Sequence, residues 1–264
     1  MNLALQININ CCKSDKIITF YAGAKCGSST LLKTLLSEKN ILSGIESADL
    51  PVANFTHEKV NYIRKNKLQP FWDVLEPMYM EPPNNNIKIR LARDPYTRAV
   101  SCYFAMVRPN GTEWQQQFVK DAGAHISFER FLDFLIKNKD YTCTGIPSND
   151  DHSKRTVDMH FQPQSHGDHL TYDKIIQIEN ISLWFKRINE EHGLNLKPRY
   201  NETHHLKEIV SNNEDYCGHR ARDWHMDIPN GRPPIATFYN VENIEKVNEY
   251  YSNDFLKYGY RMIK

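Results

Sequence analysis

Apolar positions recur along this chain with two periods, and the places where one gives way to the other carry most of the information. Ile17, Ile18, Phe20 and Tyr21 form a mostly β-branched and aromatic run that predicts a buried strand over residues 17–21. Behind a loop of small residues, Leu31, Leu32, Leu35 and Leu36 fall at helical spacing and predict a helix over residues 29–38. Residues 51–56 read as a further strand, and residues 58–76 as helical. Ile87, Ile89 and Leu91 alternate with Lys88 and Arg90 over residues 87–92, and Asp94 with Pro95 then supplies an N-cap and first-turn proline for a helix over 95–106. Phe128, Phe131, Leu132 and Leu135 lie on one stripe of a helix over 127–137, residues 174–178 form another strand, and residues 181–192 a helix closed by Gly193. Strands alternating with helices predict an α/β fold with a parallel sheet.

The loop between the first strand and its helix holds Gly23, Ala24, Lys25, Cys26, Gly27, Ser28, Ser29 and Thr30. Small residues let backbone N–H groups close on an anion, and the positive end of the following helix points at the same spot. The string is not a Walker A loop, which needs a lysine directly after its last glycine; here Ser28 takes that place and Lys25 precedes Gly27 by two residues. Arg93 stands at the carboxyl end of the 87–92 strand, the rim on which open α/β sheets bind ligands. Ser101 follows eight residues later, on the helix face shared by Thr97 and Arg98. A forked guanidinium with a nearby hydroxyl suits a terminal phosphate.

The pair AKCGSST and RDPYTRAVSCY resembles the two nucleotide-binding motifs of sulfotransferases that use 3′-phosphoadenosine 5′-phosphosulfate (PAPS), most closely the carbohydrate branch and its bacterial relatives. The string from His160 to Gln164 is similar to that family's H-x-x-P-Q segment, and Tyr172 to Asn180 to the strand after it. Residues 239–260, ending in Asp254-Phe-Leu-Lys-Tyr-Gly-Tyr260, resemble its closing helix. The resemblance implies a P-loop-like three-layer sandwich with a central, mainly parallel sheet. It also implies PAPS as co-substrate, with Lys25, Cys26, Gly27, Ser28, Ser29 and Thr30 on the 5′-phosphosulfate and Arg93 with Ser101 on the 3′-phosphate. Arg220 and Arg222 resemble a basic loop that closes on the 3′-phosphate in cytosolic sulfotransferases. Ala24, where the family often has proline, and Cys26, where it has a small residue, depart from the pattern.

Sulfuryl transfer needs a base for the acceptor hydroxyl, and histidine is the side chain suited to it near neutral pH. His57 follows the expected 51–56 strand and would project from the ligand rim; in the bacterial relatives a histidine stands at a similar point before a helix ending I-R-K, as Ile63-Arg64-Lys65 does here. His160 and the carboxylate of Glu58 are the other candidates. Lys25 would neutralise charge on the leaving oxygen. The expected function is transfer of a sulfuryl group from PAPS to a hydroxyl, most naturally of a carbohydrate. An ATP-dependent P-loop kinase and a catalytically inactive nucleotide- or glycan-binding module remain as alternatives.

With 264 residues, 40% hydrophobic and 25% charged, the chain reads as one domain over 1–264, with a polar insertion at 139–170. This insertion and the Trp114 neighbourhood are the expected acceptor side. A formal charge of +1, spread along the sequence, argues against a nucleic-acid partner. No run of eighteen apolar residues predicts a membrane span, so a native, complete chain would be cytoplasmic, and the Golgi lumen would require that an N-terminal anchor had been removed. Six cysteines lack C-x-x-C spacing and propose no zinc site, and His152, His160, His166 and His169 match no helical metal motif, so no metal is expected.

Overall fold

The computed structural model describes residues 5–52, 55–106, 126–137, 139, 160–199, 216–220 and 233–264. They group into two compact units, one taking the described residues up to Arg93 and from Asp168 to 199, the other those from Asp94 to Gly167 and from 216 onward.

The first unit is built on a four-stranded open sheet in the order β1 (Leu5–Asn10), β2 (Ile17–Ala22), β3 (Ile87–Ala92), β4 (Lys174–Gln177). β2, β3 and β4 run parallel, and β1 pairs antiparallel with β2, Leu5 facing Ala22 and Ile9 facing Ile18. Among the described residues the sheet is thus mostly parallel, and the protein is α/β with the P-loop-like sandwich architecture expected. Phe20, Ala22, Ile89 and Leu91 are fully buried, as strands covered on both faces require. β1 was not anticipated, although Ile7 and Ile9 alternate with Asn8 and Asn10 at strand period. The interruption is polar but satisfied: Asn8 Nδ2 donates to the Met80 carbonyl at 2.7 Å, and its Oδ1 accepts from Thr19 Oγ1 at 2.9 Å.

Helices α1 (Ser28–Glu38), α2 (Leu42–Ser47), α3 (Thr56–Asn66) and α4 (Phe71–Tyr79) fill the connection from β2 to β3. The expected strand at 51–56 is therefore a correction. Phe55 has extended backbone angles, but Thr56 already opens α3, and no described residue of 51–56 joins the sheet. The apolar run Pro51-Val52-Ala53 feeds a helix start, where Phe55 is the extended N-cap and Glu58 the acidic first-turn residue. After β4 a single 3₁₀ turn, Ile178–Asn180, leads into α7 (Ile181–His192), which Gly193 ends at φ 73°.

In the second unit α5 (Pro95–Met106) and α6 (Phe128–Lys137) meet α8 (Val241–Tyr250) and α9 (Ser252–Tyr258). Its core is aromatic: Tyr103, Phe128, Phe131, Phe161, Phe238 and Phe255 are each no more than 2% exposed. Of residues 139–170, Lys139 and 160–170 are described, and the latter are anchored. The buried Asp254 carboxylate accepts from the Gln164 N–H at 2.8 Å, the Ser165 N–H at 2.7 Å and Ser165 Oγ at 2.6 Å, while Tyr258 donates to the Gln164 carbonyl at 3.0 Å. A carboxylate that accepts backbone N–H bonds in this way braces the turn like an anion-filled cap. Trp114 and Cys143 lie outside the described residues.

Candidate functional site

The carboxyl ends of β2 and β3 lie on one edge of the sheet, and the loop of residues 23–27 leaves β2 there. Two of its residues are left-handed: Lys25 at φ 63° and Gly27 at φ 80°. The Cys26 N–H donates to the Gly23 carbonyl at 3.2 Å and its thiol to the Ala24 carbonyl at 3.3 Å. Cys26 is fully buried. α1 starts without a side-chain cap and without an acidic residue in its first turn. The first N–H groups of a helix have no intrahelical acceptor, which leaves those of Ser28, Ser29 and Thr30 to an outside partner. The Arg93 guanidinium reaches the same loop, Nη1 donating to the Lys25 carbonyl at 3.3 Å.

The guanidinium and the uncapped N–H groups placed here are donors, and the loop and first turn also carry the Lys25 amine and the Ser28, Ser29 and Thr30 hydroxyls. That chemistry fits a phosphate-bearing ligand such as PAPS and would repel a cation. Gly27 is required twice over. A Cβ there would stand 1.8 Å from Ile178 Cδ1 and 3.1 Å from its Cγ1, in a backbone region that L side chains rarely adopt. Gly27→Ala is expected to destabilise the protein by about 1–3 kcal/mol, chiefly from the left-handed backbone, with a smaller part from turning the Ile178 terminal methyl aside. Denaturant unfolding of Gly27→Ala, Ile178→Ala and the double variant checks this. The double should recover only the overlap, and full recovery would mean that the left-handed turn is dispensable.

His57 occupies the first turn of α3 and is half exposed. Its ring stacks on Phe55 at 5.8 Å and 12°, and its Nε2 lies 3.3 Å from Glu58 Oε1. The turn itself is tied down. Thr56 Oγ1 donates to Glu46 Oε1 at 3.2 Å, Lys59 Nζ donates to the Glu46 and Ala48 carbonyls at 2.6 and 2.7 Å, and Lys33 on α1 pairs with Glu46 at 2.8 Å. Through Glu46, therefore, the start of α3 is held to the helix that leaves the loop. Among the described residues no sheet strand directly precedes His57, in contrast to the expected strand that would have set it on the ligand rim.

Ser101 is half-buried on α5, whose first turn is capped by Asp94: its Oδ1 accepts from the Thr97 N–H at 2.8 Å and Thr97 Oγ1 at 2.9 Å. His160 offers its carbonyl to Arg98 Nη2 at 3.4 Å and to Cys102 Sγ at 2.7 Å, an anchoring role for its backbone. Arg220 is exposed in a turn where its N–H donates to the Cys217 carbonyl, and Arg222 lies outside the described residues. The structure thus brings Lys25, Gly27, the start of α1 and Arg93 together, and sets His57 on a helix linked to α1. Ile178 was missed in the sequence; its signal is an apolar side chain directly after a strand on the edge where the loop must sit.

Among the described residues no group of three or more His, Cys, Asp and Glu side chains is gathered as metal ligands, and no helix is long and apolar enough to cross a membrane. No curated protein and no solved structure matches the chain. A model of the sulfotransferase family matches residues 8–261 of 264, taking in the loop, Arg93, Ser101 and the Asp254 helix alike, and the chain is therefore a member of the sulfotransferase family.

Proposed function

We propose that this sulfotransferase takes PAPS as donor and a carbohydrate hydroxyl as acceptor. The observation that carries the donor is the set of donor groups around the uncapped start of α1, closed by the Arg93 guanidinium on the Lys25 carbonyl. PAPS supplies, when bound, a sulfuryl group on a phosphate leaving group. Ser28, Ser29 and Thr30 bind its 5′-phosphate through backbone N–H groups and hydroxyls, and Arg93 with Ser101 binds the 3′-phosphate. His57 takes the proton from the acceptor hydroxyl as that oxygen bonds to sulfur, and the Lys25 ammonium meets the negative charge growing on the departing phosphate oxygen. Catalysis by positioning and electrostatics, as in phosphoryl transfer, asks little more of the chain. The carbohydrate acceptor is supported by the likeness of His160–Gln164 and of the Asp254–Tyr260 string to the carbohydrate branch, and by the 39% exposed Phe55 ring beside His57.

Calorimetric titration with 3′-phosphoadenosine 5′-phosphate (PAP), 5′-AMP and Mg-ATP tests the donor. Micromolar PAP binding that requires the 3′-phosphate is expected, and Arg93→Ala should weaken it by about 10- to 100-fold, the range of a charge-assisted hydrogen bond. Preference for Mg-ATP, or PAP affinity unchanged in Arg93→Ala, would overturn the assignment.

A further inference from the structure

Tyr96 sits in the first turn of α5, three residues after Arg93 and five before Ser101, and is only 6% exposed. Its hydroxyl belongs to a closed ring of hydrogen bonds. The hydroxyl donates to Asn248 Oδ1, Asn248 Nδ2 donates to the Ile263 carbonyl at 2.8 Å, and the Ile263 N–H donates back to the Tyr96 hydroxyl at 2.8 Å. Tyr239 donates to the Tyr96 carbonyl at 2.6 Å, and the Tyr239 and Phe255 rings pack on the Tyr96 ring at 5.4 and 5.2 Å. The C-terminal stretch from Tyr239 to Ile263 thus converges on one residue 143 to 167 positions earlier in the sequence. The later turns of α5 have their own anchors, Arg98 and Cys102 on the His160 carbonyl, whereas the first turn is held by Tyr96 and the Asp94 cap. An α-helix advances 100° and 1.5 Å per residue, so the anchors at Tyr96, Arg98 and Cys102 must agree in rotation, and the Tyr96 hydroxyl fixes the N-terminal end of the span from which Ser101 presents its hydroxyl.

We propose that Tyr96 is a positioning residue for recognition of the donor's 3′-phosphate, the Tyr96–Asn248–Ile263 ring setting the rotation of α5 and with it the aim of Ser101. The inference rests on the donor reading given above. A buried tyrosine serving stability alone would not discriminate between nucleotides that differ only in the 3′-phosphate.

The test is calorimetric binding of PAP and 5′-AMP to wild type, Tyr96→Phe and Asn248→Ala, with thermal melts of each. Tyr96→Phe removes one oxygen and keeps the packed ring. Asn248→Ala opens the same ring of bonds from α8, where its bond to the Ile263 carbonyl is exposed and water can replace it. Both variants should stay folded and lose about five- to tenfold of the preference for PAP over 5′-AMP, the size of a hydrogen bond's net contribution, with 5′-AMP affinity unchanged. Wild-type preference for PAP retained in full by both variants would overturn the positioning role and leave the donor reading standing. Absence of that preference in wild type would overturn both.

Discussion

Lys25→Ala is expected to lower kcat by about 10²- to 10³-fold while PAP affinity falls by less than about tenfold. The asymmetry follows from where the charge is. In the proposed complex the loop's backbone N–H groups and Arg93 would already meet the phosphates in the ground state, whereas the ammonium would meet charge that grows on the leaving oxygen only as the bond to sulfur breaks. Alanine is the right substitution because the backbone at residue 25 is left-handed at φ 63°. Lysine and alanine both carry a Cβ and bear that conformation at similar cost, so the exchange removes the amine without changing the strain. Steady-state sulfuryl transfer and PAP calorimetry on the same protein make the comparison. Equal losses in turnover and in PAP affinity would mean that Lys25 binds ground and transition states alike.

The second large effect is expected at His57. His57→Ala should cut turnover by about 10²- to 10⁴-fold and leave PAP binding intact, since a general base acts on the acceptor and not on the nucleotide. The fold should survive, because the start of α3 is held by Thr56 and Lys59 on α2 and not by the imidazole. His160→Ala is the matched comparison. The bonds from Arg98 and Cys102 go to the His160 carbonyl, which alanine keeps, so activity should fall little. A collapse of turnover in His160→Ala, with His57→Ala near wild type, would move the base to the H-x-x-P-Q segment. Glu58→Gln separates the remaining alternative, since loss there with His57→Ala active would make the carboxylate the base.

The elements that were legible in the sequence are those whose burial pattern is one-sided and local. β3 and α5 begin where alternation and the Asp94-Pro95 pair place them, and the four apolar residues of the α6 stripe are all buried. The loop's chemistry was legible because small residues, a lysine and an uncapped helix start are consecutive. Residues 51–56 misled because a short apolar run has the same composition at a strand as at a helix entry, and the deciding interactions, those of Thr56 and Lys59, go to Glu46, which lies outside the run. β1 was hidden for the opposite reason: its inward Asn8 reads as solvent-facing until Thr19 and the Met80 carbonyl supply partners. The contact of Ile178 with Gly27 and the Tyr96 ring depend on residues 15 to 167 positions apart, and no local pattern carries them.

The Asp254 carboxylate has a bearing on the order in which the chain can complete itself. The Gln164 and Ser165 N–H groups face an acceptor that lies 89 to 90 residues downstream. During synthesis the turn at 163–167 therefore emerges with its donors facing water, and it stays so while the ribosome adds the next ninety or so residues, at about 5–20 residues per second a wait of several seconds or more. The first unit meets the same delay, since β3 emerges long before β4 can pair with it. Each unit closes over an interruption contributed by the other, so neither can finish as a simple N-terminal domain. Long-range closure of this kind slows folding and lengthens exposure of Phe161 and its aromatic neighbours. A nascent chain stalled before residue 254 should consequently be a chaperone client, with the H-x-x-P-Q turn unbraced until the last helix arrives.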